Sequence, residues 1–144
     1  MVTLQNISED NYRECLNIKV SENQKKFISE VSICLSKAYV FYDTVKPFAI
    51  CNNDIVVGFI MVRFNEKINN YFIWQFMIDE KYQGKGYGRK ALELIIKWIK
   101  ENKDGKEITT TYIEGNSVVR DLYKSFGFKE FNNEDGEVDM ILHI

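Results

Sequence analysis

Between Asp79 and Lys90 the chain reads Asp79-Glu80-Lys81-Tyr82-Gln83-Gly84-Lys85-Gly86-Tyr87-Gly88-Arg89-Lys90. Glycines at alternate positions remove side chains that would hold a phosphate away from backbone amides, and they accept backbone angles that other residues avoid. The first amides of a helix starting here have no intrahelical partner, and the helix dipole leaves partial positive charge beside them. Arg89 and Lys90 add two cations at an end where the dipole disfavours them, an arrangement suited to an anion lying between. The chemistry is that of a pyrophosphate cradle. Two other phosphate motifs do not match. Walker A closes on Gly-Lys-Ser/Thr, whereas Gly88 is followed by Arg89 and Lys90, and G-x-G-x-x-G places a glycine where Arg89 stands.

Such a cradle needs a strand before it and a helix after it. Tyr71 to Ile78 is aromatic and β-branched and reads as a buried strand. Leu92, Ile95, Ile96 and Ile99 recur at helical spacing up to a stop near Asn102 to Gly105. Before this unit, Val2 to Ile7 reads as a strand. Ser8-Glu9-Asp10 opens a first helix with Tyr12, Cys15, Leu16 and Ile18 to Val20 apolar. Ser21 to Gln24 has the capping-box pattern of a second, carrying Phe27, Ile28 and Val31 inward. That helix breaks near Ser29 to Ser32 and resumes through Ile33 to Tyr39. Pro47 then leads into an extended segment, Asn52-Asn53-Asp54 turns it, and Ile55 to Phe64 returns. Gly58 within that strand predicts a bulge or a close backbone approach. Beyond the cradle follow a strand at Ile108 to Ile113, a helix at Asn116 to Phe126, and a hairpin of Phe128 to Phe131 with Val138 to Ile144. The order β-α-α-β-β-β-α-β-α-β-β predicts an α/β fold: one mixed, mainly antiparallel sheet with helices on both faces.

The totals narrow the function. At 144 residues the chain is sized for a single domain, 1–144, and 45% hydrophobic with 28% charged is ordinary for a globular protein. A net charge of −2 implies no basic surface, so nucleic acid is not an expected partner. No run approaches a membrane span and the first residues lack a signal peptide's pattern. Cys15, Cys34 and Cys51 lie scattered in apolar stretches, which suits reduced core thiols in a cytoplasm. His143 stands alone beside the last residue, so neither a cysteine nucleophile with its base nor a metal site is expected.

Gln83-Gly84-x-Gly86-x-Gly88 resembles the Q/R-x-x-G-x-G/A signature of the GNAT superfamily of N-acetyltransferases. About thirty residues on, Asn116-Ser117-Val118-Val119-Arg120-Asp121-Leu122-Tyr123-Lys124-Ser125-Phe126-Gly127-Phe128 resembles that family's N-x-x-A-x-x-L-Y-x-x-x-G-F element, with Val119 in place of alanine. The predicted element order is also the family's, so the resemblance covers essentially the whole chain. It implies an acetyltransferase with acetyl-CoA as co-substrate, no metal and a possible homodimer. Its residues for the cofactor would be Phe76, Met77, Ile78, Gln83, Gly84, Lys85, Gly86, Tyr87, Gly88, Arg89, Asn116 and Tyr123. Strands 70–78 and 107–113 would splay apart around it, with one amide near Phe76 to Ile78 facing the acetyl oxygen.

Acetyl transfer to an amine requires the free base, which for an alkylamine of pKa near 10.4 is only about 0.04% of the total at pH 7. It also requires a polarised carbonyl, a stabilised oxyanion and a proton for the departing thiolate. Tyr123 falls on the family's tyrosine that protonates the thiolate. Taken alone it reads as a core aromatic, as Asn116 reads as a helix N-cap. Some polyamine-acetylating relatives carry a carboxylate at the position of Trp74. No acid occurs between Tyr71 and Ile78, so this strand offers no general base. The opening helices and the Asp79 to Gly86 stretch resemble small bacterial spermine/spermidine acetyltransferases. The expected acceptor is therefore a small-molecule amine of polyamine type near Glu22, Glu30, Asp43 and Trp74, although each acid alone also reads as a solvated helix surface. An aminoglycoside, another small amine, a protein N-terminus and a non-catalytic acetyl-CoA sensor are the alternatives.

Overall fold

A computed structural model describes residues 1–25, 28–102 and 105–144, without the side chains of Asn23 and Gln24. The elements are β1 (Val2–Asn6), α1 (Tyr12–Leu16), α2 (Glu22–Lys25), α3 (Val31–Val40), β2 (Val45–Asn52), β3 (Ile55–Asn65) and β4 (Asn70–Ile78). A 3₁₀ turn at Glu80–Tyr82 follows, then α4 (Tyr87–Glu101), β5 (Glu107–Ile113), α5 (Ser117–Ser125), β6 (Lys129–Glu134) and β7 (Glu137–His143). The described strands form a seven-stranded sheet in the order β1-β2-β3-β4-β5-β7-β6. Only β4 and β5 run parallel among these neighbours; the other pairs are antiparallel. The mixed, mainly antiparallel sheet is the one expected.

Each face of the sheet buries a different core. On one side Leu92, Ile95 and Ile99 of α4 pack with Ile60, Ile108 and Met140. Their i, i+3, i+7 spacing lines one face of the helix, and each fully buried aliphatic side chain contributes about 1.5–3 kcal/mol. On the other side Cys15 and Cys34 of α1 and α3 pack with Cys51, Phe59 and Met61. All three cysteines are buried free thiols. Burial pushes the Cys15 thiol up to about 12 and Cys34 to about 11, and raises Cys51 as well.

Two expectations are corrected, for the first helix and for the final hairpin. The first helix ends at Leu16 rather than reaching Val20. The backbone of Lys19 is claimed instead by the end of β4: its amide donates to Asp79 Oδ2 at 3.2 Å and its carbonyl accepts from the Glu80 amide at 2.7 Å. The second helix appears as separate α2 and α3, the break falling where expected, while Phe27 lies outside the described residues. The final hairpin closes through the two residues Asp135 and Gly136, with φ of 54° and 85°, rather than a six-residue loop. Positive φ at both central positions is the type I′ geometry that matches strand twist, so the polar 132–134 stretch pairs as an exposed edge strand.

Two irregularities shape the middle of the sheet. Opposite Gly58 the register shifts between Ile50 and Cys51, and a Cβ at Gly58 would lie 2.4 Å from the Met77 carbonyl oxygen. Both outcomes expected of Gly58 are realised, and the close approach excludes any side chain there. In β4 the register shifts opposite Met61 and Val62, so that Trp74 is the extra residue between Ile73 and Gln75.

Candidate active site

Parallel pairing of β4 with β5 runs from Asn70–Glu107 to Ile73–Thr110 and stops there, at the Trp74 bulge. Beyond this fork the two strands part, as expected. Side chains fill the carbonyls at both ends of the exposed edge of β4. Thr110 Oγ1 donates to the Ile73 carbonyl at 3.3 Å, and Gln83 Nε2 donates to the Ile78 carbonyl at 2.8 Å. Between them lies strand backbone that β5 no longer pairs, available to an extended ligand.

The turn after β4 builds the opposite wall. Asp79 is buried and caps the 3₁₀ turn by accepting from the Lys81 amide at 3.0 Å. Gly86 then takes the left-handed conformation, φ 86°, as the residue preceding α4, and no side chain caps that helix. The first bond back along α4 is from the Lys90 amide to the Gly86 carbonyl at 3.1 Å. The amides of Tyr87, Gly88 and Arg89 therefore have no partner in the helix ladder. Neither Gly84 nor Gly86 would meet a heavy atom within 4 Å if given a Cβ, so the space in front of these amides is open.

A groove of about 700 Å³ lies between these walls. Phe76, Met77 and Ile78 contribute from β4, and Gln83, Gly84 and Gly86 from the turn. Tyr87, Gly88 and Arg89 contribute from the first turn of α4, and Asn116, Val119 and Leu122 from α5. Asn116 is the N-cap residue of α5, its carbonyl accepting from the Arg120 amide at 3.2 Å, but its side chain makes no cap hydrogen bond and lines the groove. Val118 of α5 is 75% exposed and lines the groove's rim. Lys85 does not line the groove; it is exposed at the tip of the turn.

Tyr123 lines a second cavity, of about 300 Å³, in the fork between β4 and β5. This cavity and the groove share Ile28, Phe76, Asn116 and Val119 as walls. The Tyr123 ring is 3% exposed and packs between Phe76 and Phe128 at centroid distances of 6.4 and 5.2 Å. Burial pushes its phenol up to about 12, partly opposed by a hydrogen bond with the Thr110 hydroxyl. Trp74 and Gln75 also line this cavity. Lys37 and Arg63 stand 5.0 and 5.5 Å from the Trp74 ring centroid, so the cation positions against that indole are filled by the protein itself.

The three acids expected around the acceptor are not brought together. Glu22 is exposed and pairs with Lys25 at 2.8 Å. Glu30 lines a different cavity, of about 520 Å³, beside Lys19, Lys25 and Met77. Asp43 is exposed and lines none of these three cavities. Residues that sequence reasoning did not single out shape this region: Gln75, Thr110 and Glu137 line the fork cavity, and Asp79 ties the end of β4 to Lys19. Asp79 stood inside the motif, and a carboxylate directly after an apolar strand was the available signal for a cap. Nothing in the sequence marked Glu137 or Thr110, because strand pairing alone brings them to the fork.

Comparison with known proteins gives the family and the fold. The Acetyltransferase (GNAT) family pattern matches residues 3–128. The chain belongs to that family. It is 33% identical to the spermine/spermidine N(1)-acetyltransferase of Bacillus subtilis strain 168, over 97% of each chain. Among solved structures, the PaiA N-acetyltransferase of Thermoplasma acidophilum in complex with coenzyme A has a TM-score of 0.75 at 14% identity, covering 100% of this chain and 99% of that one. The spermidine N-acetyltransferase of Vibrio cholerae in complex with CoA and spermine has a TM-score of 0.76 at 17% identity, covering 99% and 94%. This GNAT protein is an acetyl-CoA-dependent N-acetyltransferase.

Proposed function

We propose that the groove holds acetyl-CoA, that the acceptor is a polyamine such as spermidine or spermine, and that Tyr123 is the general acid. The observation that carries this reading is the meeting of the groove with the fork cavity at Phe76, Asn116 and Val119, with Tyr123 on the far side of that junction. A nucleotide cofactor entering from the α4 end and an amine entering from the fork meet beside the Tyr123 phenol.

The residues present fit the co-substrate. The free amides of Tyr87, Gly88 and Arg89 receive a pyrophosphate, where the helix dipole and the Arg89 guanidinium both favour negative charge. The unpaired edge of β4 between its plugged carbonyls receives the amide-bearing arm, and Asn116 adds a polar side chain from α5. Acetyl-CoA supplies an activated acyl group on a thiol leaving group of pKa near 8.5. The chain orients this group, keeps water from it and delivers a proton to the departing sulfur from Tyr123 Oη. General acid catalysis of this kind gives about 10²- to 10⁴-fold. The Bacillus relative's named substrates support a polyamine acceptor.

The test is release of free thiol from acetyl-CoA in the presence of spermine, spermidine, an aminoglycoside or a short peptide. Rapid release with the polyamines supports the reading. Release with the peptide or aminoglycoside alone replaces the acceptor. No release with any amine, despite tight binding of coenzyme A, points to a sensor.

A further inference from the structure

We infer that Glu137 anchors a second positive charge of the acceptor, and so selects di- and polyamines over monoamines. This inference rests on the acceptor reading above. Glu137 is the first residue of β7, paired with Ile113 of β5, and it is the one carboxylate lining the fork cavity.

Three of its acidic neighbours are already engaged. Asp139 accepts from the Thr111 hydroxyl at 2.6 Å and from Asn132 Nδ2 at 3.1 Å. Glu130 accepts from the Tyr112 hydroxyl at 2.6 Å and lies 3.4 Å from Lys124 Nζ. Glu114 accepts from Asn133 Nδ2 at 2.6 Å. The side chains of Glu137 and of its cross-strand partner Glu134 make no hydrogen bond or ion pair among the described residues, and of these two only Glu137 lines the cavity.

Spacing assigns it to a second charge rather than to the reacting nitrogen. Thr110, at the fork, bonds to Tyr123, and Ile113 lies three residues further along β5. A strand rise of about 3.3 Å per residue puts Ile113 and its partner Glu137 about 10 Å from the fork. A single amine cannot react beside Tyr123 and touch Glu137 together. A chain with two ammonium groups does both, its methylenes lying along Thr111 and Gln75, with Glu137 compensating the distal charge.

The test compares kcat/KM for spermidine and for butylamine in the wild type, Glu137→Gln, Glu137→Asp and, as a control on overall surface charge, Glu66→Gln in the exposed turn between β3 and β4. The expected result is a fall of about tenfold in the spermidine-to-butylamine ratio for Glu137→Gln, through KM rather than kcat. Glu137→Asp keeps more of the preference, and Glu66→Gln leaves the ratio as it was. A ratio unchanged in Glu137→Gln, with spermidine still acetylated, overturns this inference and leaves the acceptor reading standing. A wild-type enzyme that acetylates no di- or polyamine overturns both.

Discussion

The hydroxyl of Thr110 donates to the carbonyl of Ile73 at 3.3 Å across the last paired position of β4 and β5. It closes the ladder where the strands divide, and it also bonds the Tyr123 phenol. A buried side chain, 2% exposed, thus joins the fork to the proposed acid. Thr110→Val removes both bonds while keeping the shape. Leaving a buried carbonyl and phenol short of a partner costs about 1–3 kcal/mol. The unfolding midpoint in denaturant therefore falls, and kcat falls with it. Thr110→Ser recovers most of both.

Gly58 faces the Met77 carbonyl so closely that no Cβ fits. The contact is with backbone, and a shift of β3 against β4 disturbs the wall of both cavities. Gly58→Ala is expected to lose about 1–3 kcal/mol or more of stability, as overpacking of a core does, and acetyl-CoA affinity with it. Thermal unfolding and cofactor titration check this. An alanine variant as stable as the wild type would contradict the geometry.

Asp79 ties the segment after α1 to the end of β4 through the Lys19 amide and caps the following turn through the Lys81 amide. Val20, next to this tie, lines the groove. Asp79→Ala takes the side-chain acceptor from the Lys19 and Lys81 amides, and KM for acetyl-CoA is expected to rise more than KM for the amine. Steady-state kinetics with each substrate varied in turn measures the difference.

Alkaline stability follows from the buried thiols and phenol. Cys15, Cys34 and Tyr123 hold their protons more tightly folded than unfolded, with values of about 12, 11 and 12 against ordinary values of 9.0, 9.0 and 10.0. The native state thus binds more protons than the unfolded chain between those limits, so stability falls as pH rises. The contribution is whole below about pH 9 and is lost progressively between about pH 9 and 12. Denaturant midpoints measured across that range are expected to decline. The same phenol value predicts no alkaline loss of kcat from Tyr123 below about pH 11, and a limb near pH 10 that vanishes in Tyr123→Phe would refute its environment.

Much of this site was legible because its chemistry is local. The glycine turn, the helix behind it and the strand before it lie within about thirty residues, and their periods and turn residues are dictated by short-range physics. Gly86, Arg89 and Asn116 stand where the motifs put them. The lining of the fork cavity was not legible, because it is made by pairing between distant segments. Glu137 reaches the cavity only through its register with Ile113, and Thr110 reaches Ile73 only because β4 and β5 run parallel. Glu22 and Asp43 looked plausible on helical sequence alone, yet three-dimensional placement leaves them in solvent. Lys85 stands exposed on the turn rather than on the groove wall.

The most direct test of the central claim is the product of one reaction. Wild-type protein is incubated with acetyl-CoA and spermidine, and acetylated amine and free coenzyme A are both quantified by mass spectrometry, with Tyr123→Phe alongside. The account predicts one acetylated spermidine per coenzyme A released. It also predicts a rate about 10²- to 10⁴-fold lower in Tyr123→Phe, with coenzyme A affinity kept. Coenzyme A released without acetylated amine, or a Tyr123→Phe enzyme as fast as the wild type, would contradict it.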